Sequence, residues 1–188
     1  HEIAAKHYPM IGMQSNLDPD LIEYQILSAK AAGIDGFFIE WGFMPHENDN
    51  LLKAMQPIAA KYGFEIGVNW CDGWLYYDWI TKIYPDIKTR ADKTKYMEKC
   101  FKYLADNVFT GKTAPVVNGR PVFYHFGGGA TPEEFTQVLN ANKDFVEKTN
   151  PVMLRRWADW GKLENDIYKP VTYSQKMEEW KKLGEVPT

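Results

Sequence analysis

The sequence predicts an α/β fold of the (β/α)8 barrel type, with about four to five β/α units forming one domain over residues 1–188. Three observations lead there. Segments with a helical period alternate with short apolar runs, the pattern of a parallel sheet covered by helices through right-handed crossovers. Two of these rounds, Gly33-Ile-Asp-Gly-Phe-Phe-Ile-Glu-Trp and Gly63-Phe-Glu-Ile-Gly-Val-Asn-Trp, repeat one plan thirty residues apart. A complete eightfold barrel takes about 250 residues, so 188 residues predict an incomplete one, truncated at both ends. Pattern alone leaves an open sheet as the alternative.

The elements follow in order. Asp18-Pro19-Asp20 supplies an N-cap, a proline for the first helical turn and an acid for the positive helix end. Leu21, Ile22, Ile26 and Ala29 keep the period, Gly33 stands at the C-terminal cap, and a strand runs from Ile34 into Glu40-Trp41. The second helix is capped by Asn48 or Asn50, turns Leu51, Leu52, Met55, Ile58, Ala59 and Tyr62 inward, is kinked by Pro57, and ends at Gly63 before a strand over 64–69. A third helix covers 89–109 and leads to a strand beginning at Arg120-Pro-Val-Phe-Tyr-His-Phe. Thr131-Pro-Glu-Glu is a capping box that opens a fourth helix, which ends near Asn150-Pro151 ahead of a strand over 152–157. The tail over 166–183 is weakly helical.

Composition narrows the function. A net charge of −3 and scattered Lys and Arg give no positive stripe for nucleic acid. No apolar run approaches the roughly 18 residues of a membrane-spanning helix. Cys71 and Cys100 are too few and too far apart for a disulfide framework or a Cys-x-x-Cys metal site. His46-Glu47 lacks the second histidine of a zinc helix, and no Gly-x-Ser-x-Gly or Walker loop occurs. Metal and cofactor chemistry are therefore not expected.

In parallel α/β folds the C-terminal strand ends and the loops after them face the ligand. Here those ends read Glu40-Trp41-Gly42, Asn69-Trp70-Cys71-Asp72-Gly73-Trp74, Tyr124-His125-Phe126-Gly127 and Arg155-Arg156-Trp157. Indole rings offer a flat apolar platform to the C–H face of a sugar, while carboxylates, Asn and His bond its hydroxyls. Carbohydrate suits this mixture best. Trp41, Trp70, Trp74 and Tyr77 are the expected platform, with Asn69, Asp72 and His125 as hydroxyl partners. Packing against the next helix remains the alternative for Trp41 and Trp70, capping for Asp72, and a satisfied core position for His125. Glu40 and Asp72, on consecutive strands, are the expected acid-base pair. Carboxyls about 5 to 9.5 Å apart serve retaining and inverting glycosidases, and an acid packed against Trp41 would gain a raised pKa by desolvation. A phosphorylated ligand on the Gly127–Thr131 loop is a further, different reading.

His1-Glu-Ile-Ala-Ala-Lys-His-Tyr-Pro-Met-Ile-Gly and Asp18-Pro-Asp-Leu-Ile-Glu through Gly33-Ile-Asp-Gly-Phe-Phe-Ile-Glu-Trp-Gly resemble the N-terminal part of glycoside hydrolases of the family 71 and 99-like group, which includes endo-α-mannosidases. The resemblance is dense over 1–43 and extends through 69–79 and 119–129. It implies a (β/α)8 barrel that hydrolyses α-linked, mannan-like glycans without a metal, outside the cytoplasm. It also implies a main acidic pair in a late Glu-Trp-x-Glu-Gly-type motif that this chain does not carry, so a catalytically silent carbohydrate-binding relative is the second expectation.

Overall fold

A computed structural model describes residues 11–155, 162–164, 167–169, 181–182 and 185–187. Helix α1 (Pro19–Ala31) begins where predicted: the Asp18 carboxylate accepts from the Asp20 amide at 2.9 Å, and Ile22, Ile26 and Ala29 are buried. The chain then reverses through Gly33 at φ +78°, a conformation that favours glycine, into β1 (Gly36–Trp41).

Helix α2 (Glu47–Lys61) is capped by His46, not by Asn48 or Asn50. The His46 Nδ1 accepts from the Asn48 amide at 3.3 Å, and the Asn48 side chain is used elsewhere, donating to the Glu40 carbonyl at 2.6 Å. Pro57 lies inside the helix, which continues through it to Lys61. Strand β2 (Glu65–Trp70) runs one residue past the predicted end. A 3-10 turn (Asp72–Tyr76) and the short α3 (Ile80–Ile83) lead to α4 (Arg90–Leu104), opened by a Thr89–Asp92 capping box and extended by a π-type turn over Ala105–Phe109.

Strand β3 (Val116–Val117) pairs antiparallel with β4 (Arg120–His125), an addition to the predicted elements. The two-residue turn between them is Asn118-Gly119 with φ of 53° and 76°, the strongest short hairpin signal a sequence offers. The expected fourth helix is two, α5 (Pro132–Ala141) and α6 (Lys143–Thr149). The Asn142 side chain donates to the Val138 carbonyl at 2.9 Å and competes with the helical ladder at the break. Strand β5 (Val152–Arg155) follows; the predicted ending at 156–157 lies outside the described residues. Of the tail expected to be weakly helical over 166–183, Ile167–Lys169 is strand β7, paired antiparallel with β6 (Lys162–Glu164), Lys181 is helical, and 170–180 lie outside the described residues; beyond that stretch β8 (Glu185–Pro187) joins β5.

The main sheet has the order β1-β2-β4-β5-β8, with every pair along that path parallel and neighbours following chain order. Side chains alternate across it. One face, carrying Ile39, Trp41, Ile66, Val68, Trp70, Phe123 and Met153, is buried in the core. Aromatic contacts lock that face to the helices: Trp41 stacks on Tyr103, and Trp70 meets Phe101 and Phe135. The opposite face is only partly covered, and Phe38 on β1 is 42% exposed.

Candidate functional site

Strand register sorts the predicted site residues into two groups. Glu40 pairs with Asn69, and Asn69 with Tyr124, so these three form a row on the partly covered face. Trp41 pairs with Trp70, and Trp70 with His125, forming the next row on the helix-covered face. Neighbours in sequence thus point opposite ways.

Trp41, Trp70 and His125 are each 0% exposed, so a sugar cannot stack on or bond to them in this structure. They are core. The Trp70 indole donates to the Gly42 carbonyl at 2.8 Å and the Trp41 indole points to Asp49 at 3.4 Å, which satisfies their polar edges internally. Glu40 is exposed, with Trp41 directed to the other side of the sheet, so the expected desolvation of Glu40 by that indole does not occur. Cys71 instead places its Sγ 3.5 Å from Glu40 Oε1.

Asp72 is also 0% exposed. Its Oδ2 accepts from the Ala130 amide at 2.7 Å, and its Oδ1 lies 3.4 Å from His125 Nε2. Arg155 Nη1 sits 3.0 Å from His125 Nδ1; a guanidinium has donors only, so Nδ1 accepts and the neutral ring carries its proton on Nε2, facing Asp72. Burial pushes the Asp72 carboxyl up, yet His125, the Ala130 amide and Arg155 outweigh it and hold the group below the ordinary carboxylate range. An ionised, dry carboxylate can neither reach a glycosidic oxygen nor donate a proton to it. The Glu40–Asp72 acid-base pair is therefore not formed in this structure, and Asp72 ties two loops together.

Glycines let those loops close on one another. A Cβ at Gly42 would meet the Trp74 ring at 2.4 Å, one at Gly129 the Tyr76 ring at 2.3 Å, and one at Gly127 the Arg155 guanidinium at 2.5 Å. The loops after β1, β2 and β4 thereby converge at the C-terminal edge of the sheet. Between them lies a hollow of about 360 Å³ lined by Cys71, Trp74, Tyr77, Phe126 and the Gly127–Gly128 backbone, of the size that holds small ligands. Trp74 is half-buried and Tyr77 56% exposed, so the structure brings both to this opening.

The phosphate reading of Gly127–Thr131 meets a charge conflict. The Ala130 amide is taken by Asp72 and the Thr131 amide by Glu134 at 2.8 Å, so carboxylates already occupy the donors an anion would need. Among the described residues, no group of three or more His, Cys, Asp or Glu is placed to hold a metal, and no helix is long and apolar enough to cross a membrane. Tyr124 is the functional candidate the sequence reading missed. Period-two alternation from Asn69 and Glu40 was the signal available for it.

No family model matches the chain, and no curated protein matches it in sequence. Solved structures do. The GH99 endo-alpha-mannosidase from Bacteroides thetaiotaomicron in complex with BIS-TRIS-propane superposes with a TM-score of 0.60 at 17% identity over 86% of this chain and 46% of that one. A second structure of the enzyme gives 0.59 at 15% identity over 86% and 44%. A glycoside hydrolase-like protein reaches 0.48 at 15% identity over 81% and 48%. The chain thus spans less than half the length of the mannosidase structures, and what the likeness establishes is the fold: an α/β chain with a parallel-rich sheet, similar to that of the GH99 enzymes.

Proposed function

We propose that this chain carries part of a carbohydrate-processing cleft on a β/α barrel arc, and that the cleft binds and hydrolyses α-linked glycans. The observation that carries the reading is the convergence of the loops after β1, β2 and β4 on one hollow beside Glu40, at the sheet edge where parallel α/β proteins place their ligands. Strands in chain order with their helices packed on one face support an arc of a barrel over a doubly wound sheet, which needs helices on both faces. Trp74 and Tyr77 offer aromatic faces to the sugar, Asn69 bonds a hydroxyl, and Glu40 supplies the exposed carboxylate for acid-base chemistry or polar support. Trp41, Trp70, His125 and Asp72 act from below, fixing the strand ends and loops.

A second reading is a sugar-binding domain that does not cleave. Its support is specific: with Asp72 dry and ionised, the expected carboxylate pair is reduced to Glu40. A panel of α-linked manno- and gluco-oligosaccharides separates the two. Cleavage products that vanish in Glu40→Gln support hydrolysis, saturable binding without products supports the binding domain, and the absence of both cleavage and binding overturns the carbohydrate reading.

A further inference from the structure

Helix α4 opens on a residue that its position disfavours. Arg90 is the first residue of the helix, where the backbone dipole is positive and a cation is destabilising. The guanidinium finds its partners outside the helix. Its Nε and Nη2 donate to Glu134 Oε1 and Oε2 at 2.7 and 2.6 Å, a forked pair with the third residue of α5. Nη2 also donates to the Gly129 carbonyl at 3.2 Å, and the guanidinium carbon lies 4.5 Å from the centroid of the Tyr76 ring.

These partners adjoin the walls of the hollow. Gly129 follows the Gly127–Gly128 backbone that lines it, and Tyr76 precedes Tyr77, which lines it as well. The Tyr76 ring fills the space over Gly129, where a Cβ would lie 2.3 Å from it. Glu134 closes the circuit: its Oε2 accepts from the Thr131 amide at 2.8 Å and from the Tyr76 hydroxyl at 3.4 Å. One side chain thus bridges α4, the start of α5, the glycine loop after β4 and the turn after β2. Asp72 joins the same two loops from within, fully buried. Arg90 differs, with its side chain 55% exposed and that of Glu134 15%. An exposed ion pair adds little to global stability, so the chain can fold without it. A disfavoured helix start is kept where another demand outweighs the local rule.

We infer that Arg90 is a positioning residue for the ligand hollow: it holds the Gly127–Gly129 loop and the Tyr76–Tyr77 turn in the arrangement that a sugar binds. This deepens the carbohydrate reading above and rests on it. A site whose competent arrangement is only partly populated binds more weakly by that fraction. Loosening the loop therefore lowers affinity without removing a ligand contact.

The test compares Arg90→Ala, Arg90→Lys and Lys102→Ala in the full chain by melting temperature, amide hydrogen exchange and calorimetric titration with α-linked manno-oligosaccharides. Lys102→Ala is the control, since it removes another exposed ion pair of α4, the one to Asp106. Arg90→Ala is expected to melt close to wild type, to speed exchange of the Ala130 amide about tenfold and to weaken sugar binding about tenfold. That amide bonds Asp72 and not Arg90, so its exchange reports the loop as a whole. Arg90→Lys keeps the charge and loses the fork; it is expected to follow Arg90→Ala in exchange and affinity, while Lys102→Ala follows wild type. Should Arg90→Ala unfold, Arg90→Lys carries both readings. Unchanged Ala130 exchange overturns the inference. So does unchanged affinity against a wild type that binds, or full recovery of both by Arg90→Lys. A wild type without saturable binding overturns the carbohydrate reading, and Ala130 exchange alone then decides whether Arg90 holds the loops.

Discussion

Asn69 and Trp70 are adjacent in sequence and face opposite sides of the sheet: Asn69 joins Glu40 and Tyr124 on the partly covered face, Trp70 joins Trp41 and His125 in the core. Each of these strands therefore presents one residue to the partly covered face and one to the core at its tip, and the expected consequences of mutation divide along the same line.

Trp70→Ala is expected to cost about 3 to 5 kcal/mol of stability, the range for emptying a large core site, because the indole is fully buried among Phe101, Phe123 and Phe135 and bonds the Gly42 carbonyl. Trp74→Ala, at the hollow, is expected to cost far less and to weaken sugar binding instead. Urea denaturation of the two variants checks the contrast.

Glu40→Gln is expected to leave stability within about 0.5 kcal/mol of wild type, as exposed substitutions do, and to abolish hydrolysis of any α-linked oligosaccharide the wild type cleaves. Turnover assays with a parallel thermal melt measure both. Unchanged turnover removes Glu40 from the chemistry.

Asp72→Asn keeps an acceptor for the Ala130 amide and removes the charge that faces the His125 Nε2 proton, at an expected cost of about 1.5 to 3 kcal/mol, the range for a hydrogen bond to a charged group. The pH dependence carries a sign. The Asp72 carboxyl is held below its ordinary value in the folded state, so its contribution is present above the unfolded pKa of about 3.9 and is lost as pH falls below it toward the folded value. Wild-type stability should therefore drop more steeply than that of Asp72→Asn as pH is lowered below about 4. Denaturation midpoints across that window decide it.

Gly42→Ala would place a methyl 2.4 Å from the Trp74 ring, forcing the indole off its seat at a cost of about 1 to 3 kcal/mol. A shifted tryptophan emission maximum and weaker sugar binding are the expected readouts. A variant with wild-type emission would show that the Gly42–Trp74 contact does not position the ring.

Helix starts were legible because capping is local chemistry. Asp18-Pro19 and Thr131-Pro132-Glu133-Glu134 carry their hydrogen bonds within four residues, and both caps form as read. The His46 cap was harder, since it depends on Asn48 turning to Glu40, a partner eight residues away. Strand faces were obscured for another reason. Phe37-Phe38-Ile39 is apolar throughout, so hydrophobicity hides the alternation that parity alone would have given. Carrying the period of two forward from Glu40 and Asn69 would have separated Trp41 and Trp70 from the site and brought in Tyr124. The burial of Asp72 had no local signal, because it arises where a 3-10 turn meets the Gly127–Ala130 loop, 58 residues away in sequence.

The most direct measurement is a ¹H–¹⁵N spectrum of the chain titrated with α-linked manno- and gluco-oligosaccharides. Saturable shifts at the Asn69 carboxamide, the Trp74 indole and the Gly127–Gly128 amides, with the Trp41 and Trp70 indoles unmoved, are the expected result. A spectrum unchanged at saturating sugar, or shifts confined to surfaces away from the C-terminal strand ends, would contradict a glycan site there.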